Sequence, residues 1–170
     1  MNRILFATVL ASLLAACSDK PVPVVATPPS VLGSGAVSAT RPATIPEPLA
    51  ITQDCSVDLV NDAIATELTP VADKTKVRLS GWAADPVVGT LPKVVFLEIG
   101  GANKVYMQVA LGLARPDVAT HFSKPELANA GWQATLDMSA LKPGNYELRI
   151  IQLGTVANTI CDARKSLTLN

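Results

Sequence analysis

Residues 132–138 read Trp-Gln-Ala-Thr-Leu-Asp-Met, and this stretch decides the fold class. Its apolar side chains stand at every second position, and polar side chains fill the three positions between them. A period of two places alternate side chains on opposite faces of an extended strand, whereas a helix repeats every three or four residues. The stretch therefore predicts a β-strand with one buried face and one solvent-facing side.

The same alternation recurs on both sides of this strand. Residues 146–150 alternate again, after a Lys-Pro-Gly-Asn sequence at 142–145 that is typical of a type II turn. Residues 93–99 form the most apolar strand, and a Gly-Gly-Ala-Asn connection at 100–103 predicts a hairpin to a returning strand at 104–111. Shorter predicted strands lie at 56–61, 77–80, 156–161 and 166–169.

Two regions depart from the strand pattern. Residues 68–76 contain Pro, Asp and Lys and predict a loop. Residues 115–130 predict one or two short helical turns near 116–129, with Pro116 at a first helical position and a Ser123–Glu126 spacing typical of a capping box. Seven or eight short strands without a long helix favour a single antiparallel β-sandwich, and a small β-barrel is the alternative.

Several motifs occur in an order that is informative about the fold family. They are Leu-Ser-Gly-Trp-Ala-Ala-Asp at 79–85, Arg-Pro-Asp-Val at 115–118, Gly-Trp at 131–132 and Leu-Lys-Pro-Gly-Asn-Tyr-Glu-Leu at 141–148. Their order and spacing resemble the immunoglobulin-like β-sandwich modules of bacterial envelope and secreted proteins. The resemblance covers residues from about 55 to 169 and implies an immunoglobulin-like fold, but it carries no activity.

The N-terminus has the features of an export signal. Arg3 precedes an apolar run over residues 4–16 that would cover roughly 20 Å as a helix, short of the roughly 30 Å hydrocarbon core. Leu14-Ala15-Ala16-Cys17 at its end resembles the lipobox of bacterial lipoproteins. The resemblance implies a signal peptide over 1–16 and an acylated Cys17 that anchors the chain in a membrane.

The position after the cysteine bears on which membrane carries the anchor. Ser18 resembles the residue found in lipoproteins that are sorted onward, so we expect the outer membrane with the domain facing the periplasm. The inner membrane and the cell surface remain alternatives.

The next segment is predicted to be a spacer. Seven of the chain's 13 prolines fall between Ser18 and Leu49, in a low-charge stretch rich in Ala, Val, Thr and Ser. Proline removes backbone donors and fixes φ, which disfavours helix and sheet. We therefore assign 17–50 to a lipidated cysteine with a disordered tether, and 51–170 to the β-sandwich domain.

The remaining cysteines, Cys55 and Cys161, bracket the domain. An exported protein can form disulfides, and with Cys17 lipidated these two are the only available pair. We expect a structural bridge between the first and last strands, closing a loop of about 100 residues and worth at most about 4.7 kcal/mol. Two cysteines and one distant histidine do not suit zinc.

Composition argues against several functions. Lys+Arg and Asp+Glu balance at 14 each, so there is no basic excess for nucleic acid. His121 has no neighbouring nucleophile or oriented carboxylate, and is predicted to lie on the surface. Asp54, Asp58 and Asp62 lack the Gly and Glu of a calcium loop. We predict no catalytic residues, metal or cofactor.

The candidate binding residues each have a structural alternative. Arg115 and Asp117 are expected to pin the helical turns to the sheet, or else to bind a sugar hydroxyl or carboxylate. Trp82 is expected to pack in the core with Trp132, or else to form an aromatic platform for a sugar. The full set of candidate binding residues is Trp82, Asp85, Val94, Phe96, Arg115 and Asp117.

Val94 and Phe96 bear most directly on the type of partner. Burial at a sheet junction is the favoured interpretation, but an uncovered face would present an apolar patch to a partner. We expect a non-enzymatic envelope lipoprotein that binds or scaffolds another envelope component, protein or glycan. A dedicated carbohydrate-binding module is the alternative, and an enzyme or enzyme inhibitor is third.

Overall fold

The computed structural model describes residues 33–85, 87–154 and 157–170. The predicted signal peptide, Cys17 and the tether up to residue 32 lie outside these ranges. The strands in chain order are β1 (Ser34–Ala36), β2 (Ala50–Thr52), β3 (Cys55–Val60), β4 (Ala63–Ile64), β5 (Leu68–Val71), β6 (Val77–Ala83), β7 (Val94–Gly100), β8 (Val105–Gln108), β9 (Ala110–Leu113), β10 (Gly131–Asp137), β11 (Gly144–Leu153) and β12 (Asn158–Leu169). Between β9 and β10 lie a helix, α1 (Pro116–Phe122), and a 3-10 turn (Pro125–Asn129).

The strands form two sheets that pack as a β-sandwich. Sheet I has the order β1-β10-β6-β3-β4, with β9 also pairing with β10. Sheet II has the order β2-β12-β11-β7-β8, with β5 also pairing with β12. The β-sandwich prediction is confirmed and the barrel alternative is wrong. Twelve described strands replace the expected seven or eight, and three of the pairings, β1 with β10 and β2 and β5 with β12, are parallel.

The core follows the alternation that the sequence shows. Trp132, Leu136 and Met138 are completely buried between the sheets, whereas Gln133 is exposed. Gly81 lies on β6 where β3 comes very close, and a Cβ there would overlap the carbonyl oxygen of Ser56. The interruption that Gly81 makes in an alternating strand is therefore a close backbone approach.

The returning strand predicted over 104–111 is divided between the two sheets. β8 pairs with β7 in sheet II, and β9 pairs with β10 in sheet I. Val109 lies between them, is buried, and donates its backbone N–H to the carbonyl of Val95. The chain thus crosses from one sheet to the other at this residue, and the alternation continues through the crossing.

Two local predictions are wrong. Residues 68–71 form β5 instead of a loop, because the end of β12 offers them a parallel edge at Ser166–Leu169. Ser123 does not cap the 3-10 turn, since it ends α1 in a left-handed conformation and Lys124 precedes the turn without a side-chain cap. Pro116 does occupy the start of α1, as predicted.

Residues 33–52, here called the strap, pass around the sandwich. β1 pairs with β10 in sheet I on the side opposite β6, and Ser38 then exchanges two backbone hydrogen bonds with Tyr106 at the edge of sheet II. β2 ends the strap by pairing with β12. Composition predicts a disordered tether over 17–50, but the structure places its described part, residues 33–50, in contact with both sheets.

The strap also covers the outer face of sheet II. Ile45 is 5% exposed and packs in one cluster with Phe96, Tyr106 and Ile151. Phe96 points away from the core side of β7, and it is buried because the strap crosses over it. A segment that looks like a linker therefore contributes Ile45 and Leu49 to a second layer.

A disulfide joins the two sheets. Cys55 at the start of β3 is bonded to Cys161 in β12, with 6.2 Å between the Cα atoms. The predicted pairing is confirmed, and it connects sheet I to sheet II. Structural disulfides persist in oxidising compartments, which points to a location outside the cytoplasm.

Candidate functional site

A cleft of about 260 Å³ opens at one end of the sandwich, between β2 and the loop that follows β6. We call it the end cleft. The lining residues that matter for recognition are Ile51, Asp54, Asp85, Val87, Val88 and Gln152.

The loop on one side of the end cleft is held by its own hydrogen bonds. The backbone N–H and C=O of Asp85 bond to Thr90, at 2.9 and 3.1 Å, and close the loop at its base. Asp85 Oδ1 accepts the backbone N–H groups of Val87 and Val88, at 3.0 and 3.1 Å. Gly89 completes the turn with a φ of +79°, a conformation that an L side chain rarely adopts. This geometry directs two valines outward.

The opposite side of the end cleft is formed by β2 and the turn after it. Thr52 donates its hydroxyl to Asp54 Oδ2 at 2.7 Å, which closes a tight turn before β3. Gln152 on β11 is 4% exposed and donates from Nε2 to the carbonyl of Asp54 at 2.9 Å. The turn is followed at once by Cys55, so the disulfide fixes this side to the body of the domain.

The rim of the end cleft is apolar and exposed. Ile51 and Val87 are both 83% exposed, and Val88 is 52% exposed. Five large apolar side chains are exposed in the described residues, and these three line the same cleft. Apolar side chains grouped in this way mark interaction sites more often than single exposed ones do.

The sequence identified only one residue of this site, Asp85. Val87 and Val88 lie between turn residues, where strand patterning gives no information about their direction. Ile51 follows the Pro-rich segment and was placed at the first residue of the domain. One local signal could have identified them. Two adjacent valines inside a turn sequence are not on a strand that faces the core, so they are expected to be exposed.

Arg115 and Asp117 lie on the helical side of sheet I, away from the end cleft lining. Arg115 Nε and Nη2 bond to the two oxygens of Asp117, at 2.9 and 2.6 Å, and Nη1 bonds to Asp58 Oδ2 at 2.5 Å. Asp58 sits at a bulge in β3, opposite β6. Both edges of the guanidinium thus face carboxylates of the chain itself, and the contact joins α1 to the sheet.

The same ion pair shifts two pKa values. The hydrogen bond from Arg115 is the main cause that lowers the pKa of Asp117 to about 2. The hydrogen bond to Asp117, with a smaller contribution from Asp58, raises the pKa of Arg115 above its ordinary value. Arg115 and Asp117 therefore both remain charged over the whole physiological pH range.

The aromatic candidates do not form an exposed platform. Trp132 is buried in the core. Trp82 is half-buried and packs edge-on against Phe122, with 5.5 Å between ring centroids. Neither side chain lines the end cleft. Val94 is half-buried beside Phe96, whose face the strap covers.

Glu98 is a site that sequence patterning did not single out. Its side chain is completely buried on the strap-covered side of β7, and neither carboxylate oxygen has a hydrogen-bond partner in the described residues. Lys104 Nζ lies 3.1 Å from Oε1 as an ionic contact without hydrogen-bond geometry, and Arg149 Nη1 lies 3.8 Å from the same atom. Arg149 approaches this carboxyl group from β11, and Lys104 approaches it from the position just before β8.

The remaining candidates are dispersed. Asp54 belongs to the end cleft, Asp58 contacts Arg115, and Asp62 pairs with Arg78. His121 is exposed. Across residues 33–85, 87–154 and 157–170, no group of three or more His, Cys, Asp or Glu side chains is arranged to hold a metal ion. None of the helices in these ranges has the length and hydropathy needed to cross a bilayer.

Comparison with known proteins adds no family. No protein-family model, no curated protein and no solved structure matches the chain.

Proposed function

We propose that this protein is a non-catalytic binding module of the cell envelope, and that its end cleft binds an extended segment of another exported protein. The observation that carries the proposal is the grouping of Ile51, Val87 and Val88 around one cleft. Exposed apolar side chains cost free energy in water, and burial of their surface would favour association by about 25 cal/mol per Å².

A free strand edge beside the cleft supports an extended segment as the occupant. β2 is the last strand of sheet II in the described residues and pairs only with β12. Its other side presents backbone donors and acceptors next to Ile51. A peptide in extended conformation can hydrogen-bond to such an edge while its side chains enter an adjacent groove.

The envelope location rests on two features. Leu14 to Cys17 resembles a lipobox, and the Cys55–Cys161 bridge fits an exported protein. We propose that a lipid on Cys17 anchors the chain, in the outer membrane facing the periplasm. Replacement of Cys17 by Ala should then release the protein into the soluble fraction, and continued membrane retention would contradict the anchor.

We also propose an immunoglobulin-like topology for the sandwich. Tyr146, near the start of β11, donates its hydroxyl to the carbonyl of Lys142 at 2.8 Å. A tyrosine that bonds to backbone a few residues upstream at a strand corner is a hallmark of such sandwiches. This contact supports the resemblance of the Leu141–Leu148 motif.

Site-specific photo-crosslinking tests the binding proposal. A photoreactive amino acid replaces Val87 in one variant and Ile64 in a control, since Ile64 is 81% exposed on β4 and outside the cleft. We expect a discrete protein adduct from position 87 in cells and none from position 64. The adduct should disappear when Ile51→Ser is added.

A different outcome would change the assignment. Equal adducts from positions 87 and 64 would show non-specific surface contact and overturn the proposal. A glycan-array signal that is lost on Trp82→Ala, without a protein adduct at position 87, would instead establish the carbohydrate-binding alternative.

A further inference from the structure

We infer that the outer face of sheet II carries a second binding site, which takes a neutral saccharide. The site is a hollow of about 420 Å³ beside the strap, here called the outer hollow. No strap residue and no residue of the end cleft lines it, and every lining residue lies in the described part of the chain. The lining includes Leu68, Gly101, Lys104, Asn145, Glu147 and Arg149.

The carboxylate of Glu98 lies beneath this hollow without a hydrogen bond. The side chain is completely buried, and neither oxygen has a hydrogen-bond partner within the described residues. Lys104 Nζ and Arg149 Nη1 lie 3.1 and 3.8 Å from Oε1, and both cations line the hollow, so the carboxylate points toward it. A buried carboxylate without hydrogen bonds costs free energy in the fold, which is typical of a group that serves a site.

The charges of the lining and of Glu98 cancel. Lys104 and Arg149 face the carboxylate of Glu98, and Arg149 Nη2 also donates to Glu147 Oε2 at 3.0 Å. Two charges of each sign give no net attraction to an anion or to a cation. A charged ligand would have to break one of these pairs, whereas a neutral ligand can bond to their remaining donors and acceptors.

The polar atoms that remain are neighbouring donors and acceptors. Asn145 Oδ1 accepts from the hydroxyl of Thr168 at 2.9 Å, which orients the amide and leaves Nδ2 as a donor. The bond from Arg149 engages Oε2 of Glu147 and leaves Oε1 as an acceptor. The ammonium of Lys104 adds further donors. Each hydroxyl of a saccharide both donates and accepts, so adjacent hydroxyls match a mixed set of this kind.

The rest of the lining suits a sugar ring better than a peptide. A Cβ at Gly101 would lie 2.7 Å from the ring of Tyr146, which is itself buried, so this part of the lining is fixed. Leu68 is 49% exposed and is the one large apolar side chain in the lining. It can contact the apolar C–H face of one ring, but a peptide that binds through several apolar side chains would find little surface.

Trisaccharides of different charge test the inference. Maltotriose and N,N′,N″-triacetylchitotriose are neutral, deacetylated chitotriose is cationic, and trigalacturonate is anionic. Each is titrated into the full chain in a detergent without a sugar headgroup, and backbone amide NMR shifts report the affinity and the place of binding. We expect a neutral trisaccharide to shift the amides of Lys104, Asn145 and Arg149, and to bind about tenfold more tightly than either charged one.

Matched variants assign the binding to the outer hollow. Glu147→Ala removes an acceptor and should weaken binding of the neutral trisaccharide about fivefold. Asp62→Ala is the control, because Asp62 pairs with Arg78 beside sheet I in a similarly exposed pair, with side-chain exposures of 73% for Asp62 and 66% for Glu147. The affinity of Asp62→Ala should equal that of the unmodified protein.

Glu98→Gln tests the buried carboxylate separately. The urea midpoint should change little, because the two cations that lose their partner are partly exposed to water. Saccharide affinity should nevertheless fall, since Lys104 and Arg149 lose the group that holds them at the hollow. Unchanged affinity in this variant would overturn the assignment of Glu98 to the site.

The other outcomes also decide the inference. It is overturned if neither neutral trisaccharide binds, or if a charged one binds more tightly. A neutral saccharide that still binds after Glu147→Ala but not after Trp82→Ala would place the sugar at Trp82 and would overturn it as well. The crosslink at position 87 tests the end cleft by itself, so either site can fail without the other.

Discussion

Arg115 connects the helical segment to a bulge in β3, because its Nη1 lies 2.5 Å from Asp58 Oδ2 across 57 positions of sequence. The same guanidinium holds Asp117 in the first turn of α1. One partly buried side chain thus fixes the position of a non-β insertion on an otherwise β framework.

Replacement of Arg115 by Ala should lower the free energy of unfolding by about 1–2 kcal/mol, because two carboxylates lose a bidentate or charge-assisted partner. Urea unfolding with the disulfide intact measures the change. Arg78→Ala is the matched control, since the Arg78–Asp62 pair is more exposed and should contribute less than about 1 kcal/mol. Equal effects of the two variants would contradict the proposed role of Arg115.

The Asp117 carboxyl should make stability sensitive to acid. Its folded pKa of about 2 is below the unfolded value of about 3.9, so its contribution is complete above pH 4 and is lost as pH falls toward 2. Asp117 is exposed, and solvent screening limits the effect to under about 1 kcal/mol. Asp117→Asn should flatten the stability profile between pH 4 and 2.

Arg115→Ala supplies the check on that interpretation. Without the guanidinium, the pKa of Asp117 should return toward its ordinary value, and the acid-sensitive part of the profile should flatten in the same way. A profile that stays as steep in both variants would assign the acid sensitivity to other carboxylates.

Removal of the disulfide should be strongly destabilising. The bridge closes a sequence separation of 106 residues, for which the loop-entropy model gives about 4.7 kcal/mol. Cys55→Ala with Cys161→Ala should therefore unfold at markedly lower urea concentration. The double variant should also lose the photo-crosslink from position 87, because the Asp54 turn at the end cleft directly precedes Cys55. Retained stability and binding would show that the bridge is dispensable for both.

Truncation of Ile45 should loosen the strap without unfolding the core. Ile45→Ala removes buried apolar volume worth about 2 kcal/mol, a factor of roughly thirty in the opening of the strap. Hydrogen exchange of the Tyr106 amide, which bonds to the Ser38 carbonyl at 2.8 Å, reports that opening. Ile64→Ala on the exposed surface should leave the exchange rate unchanged, as a test of specificity.

The sequence predicted the burial of a side chain correctly where that burial depends on the pattern of its own strand. The alternation at Trp132 predicted its burial. The cysteine pairing followed from compartment and elimination. Each of these depends on local geometry or on a covalent rule, which is why the β-sandwich could be predicted.

Prediction failed where distant segments decide the outcome. Burial of Phe96 was the favoured interpretation, but Ile45 is what covers it, and no pattern within β7 contains that information. Residues 68–71 form β5 because they pair with the edge of β12, which is distant in sequence. Val87 is exposed because hydrogen bonds of Asp85 close the loop that carries it. The candidate site belongs to this second class, since it arises where β2 and a loop from the other sheet come together.

The path of the strap sets the order in which contacts would break when the chain is pulled from its N-terminal side. A pull on the chain from residue 33 first meets β1, whose three exposed residues pair with β10 and with no other strand in the described part of the chain. The load next reaches the Ser38–Tyr106 hydrogen bonds and Ile45, and only then β2 and the end cleft. Peeling residues 33–52 would release roughly 65 Å of chain before the Cys55–Cys161 bridge takes the tension.

The strap is therefore a length of chain that can extend before the sandwich unfolds. Its last strand, β2, also lines the end cleft. Peeling of β2 would remove Ile51 from the end cleft, so a segment bound as proposed would be released while the sandwich stays folded. Force spectroscopy of the full chain should show a first extension of this length at low force, preceding any rupture of the sandwich. Because the last residues of the strap form one wall of the end cleft, tension on the chain would weaken binding at that cleft.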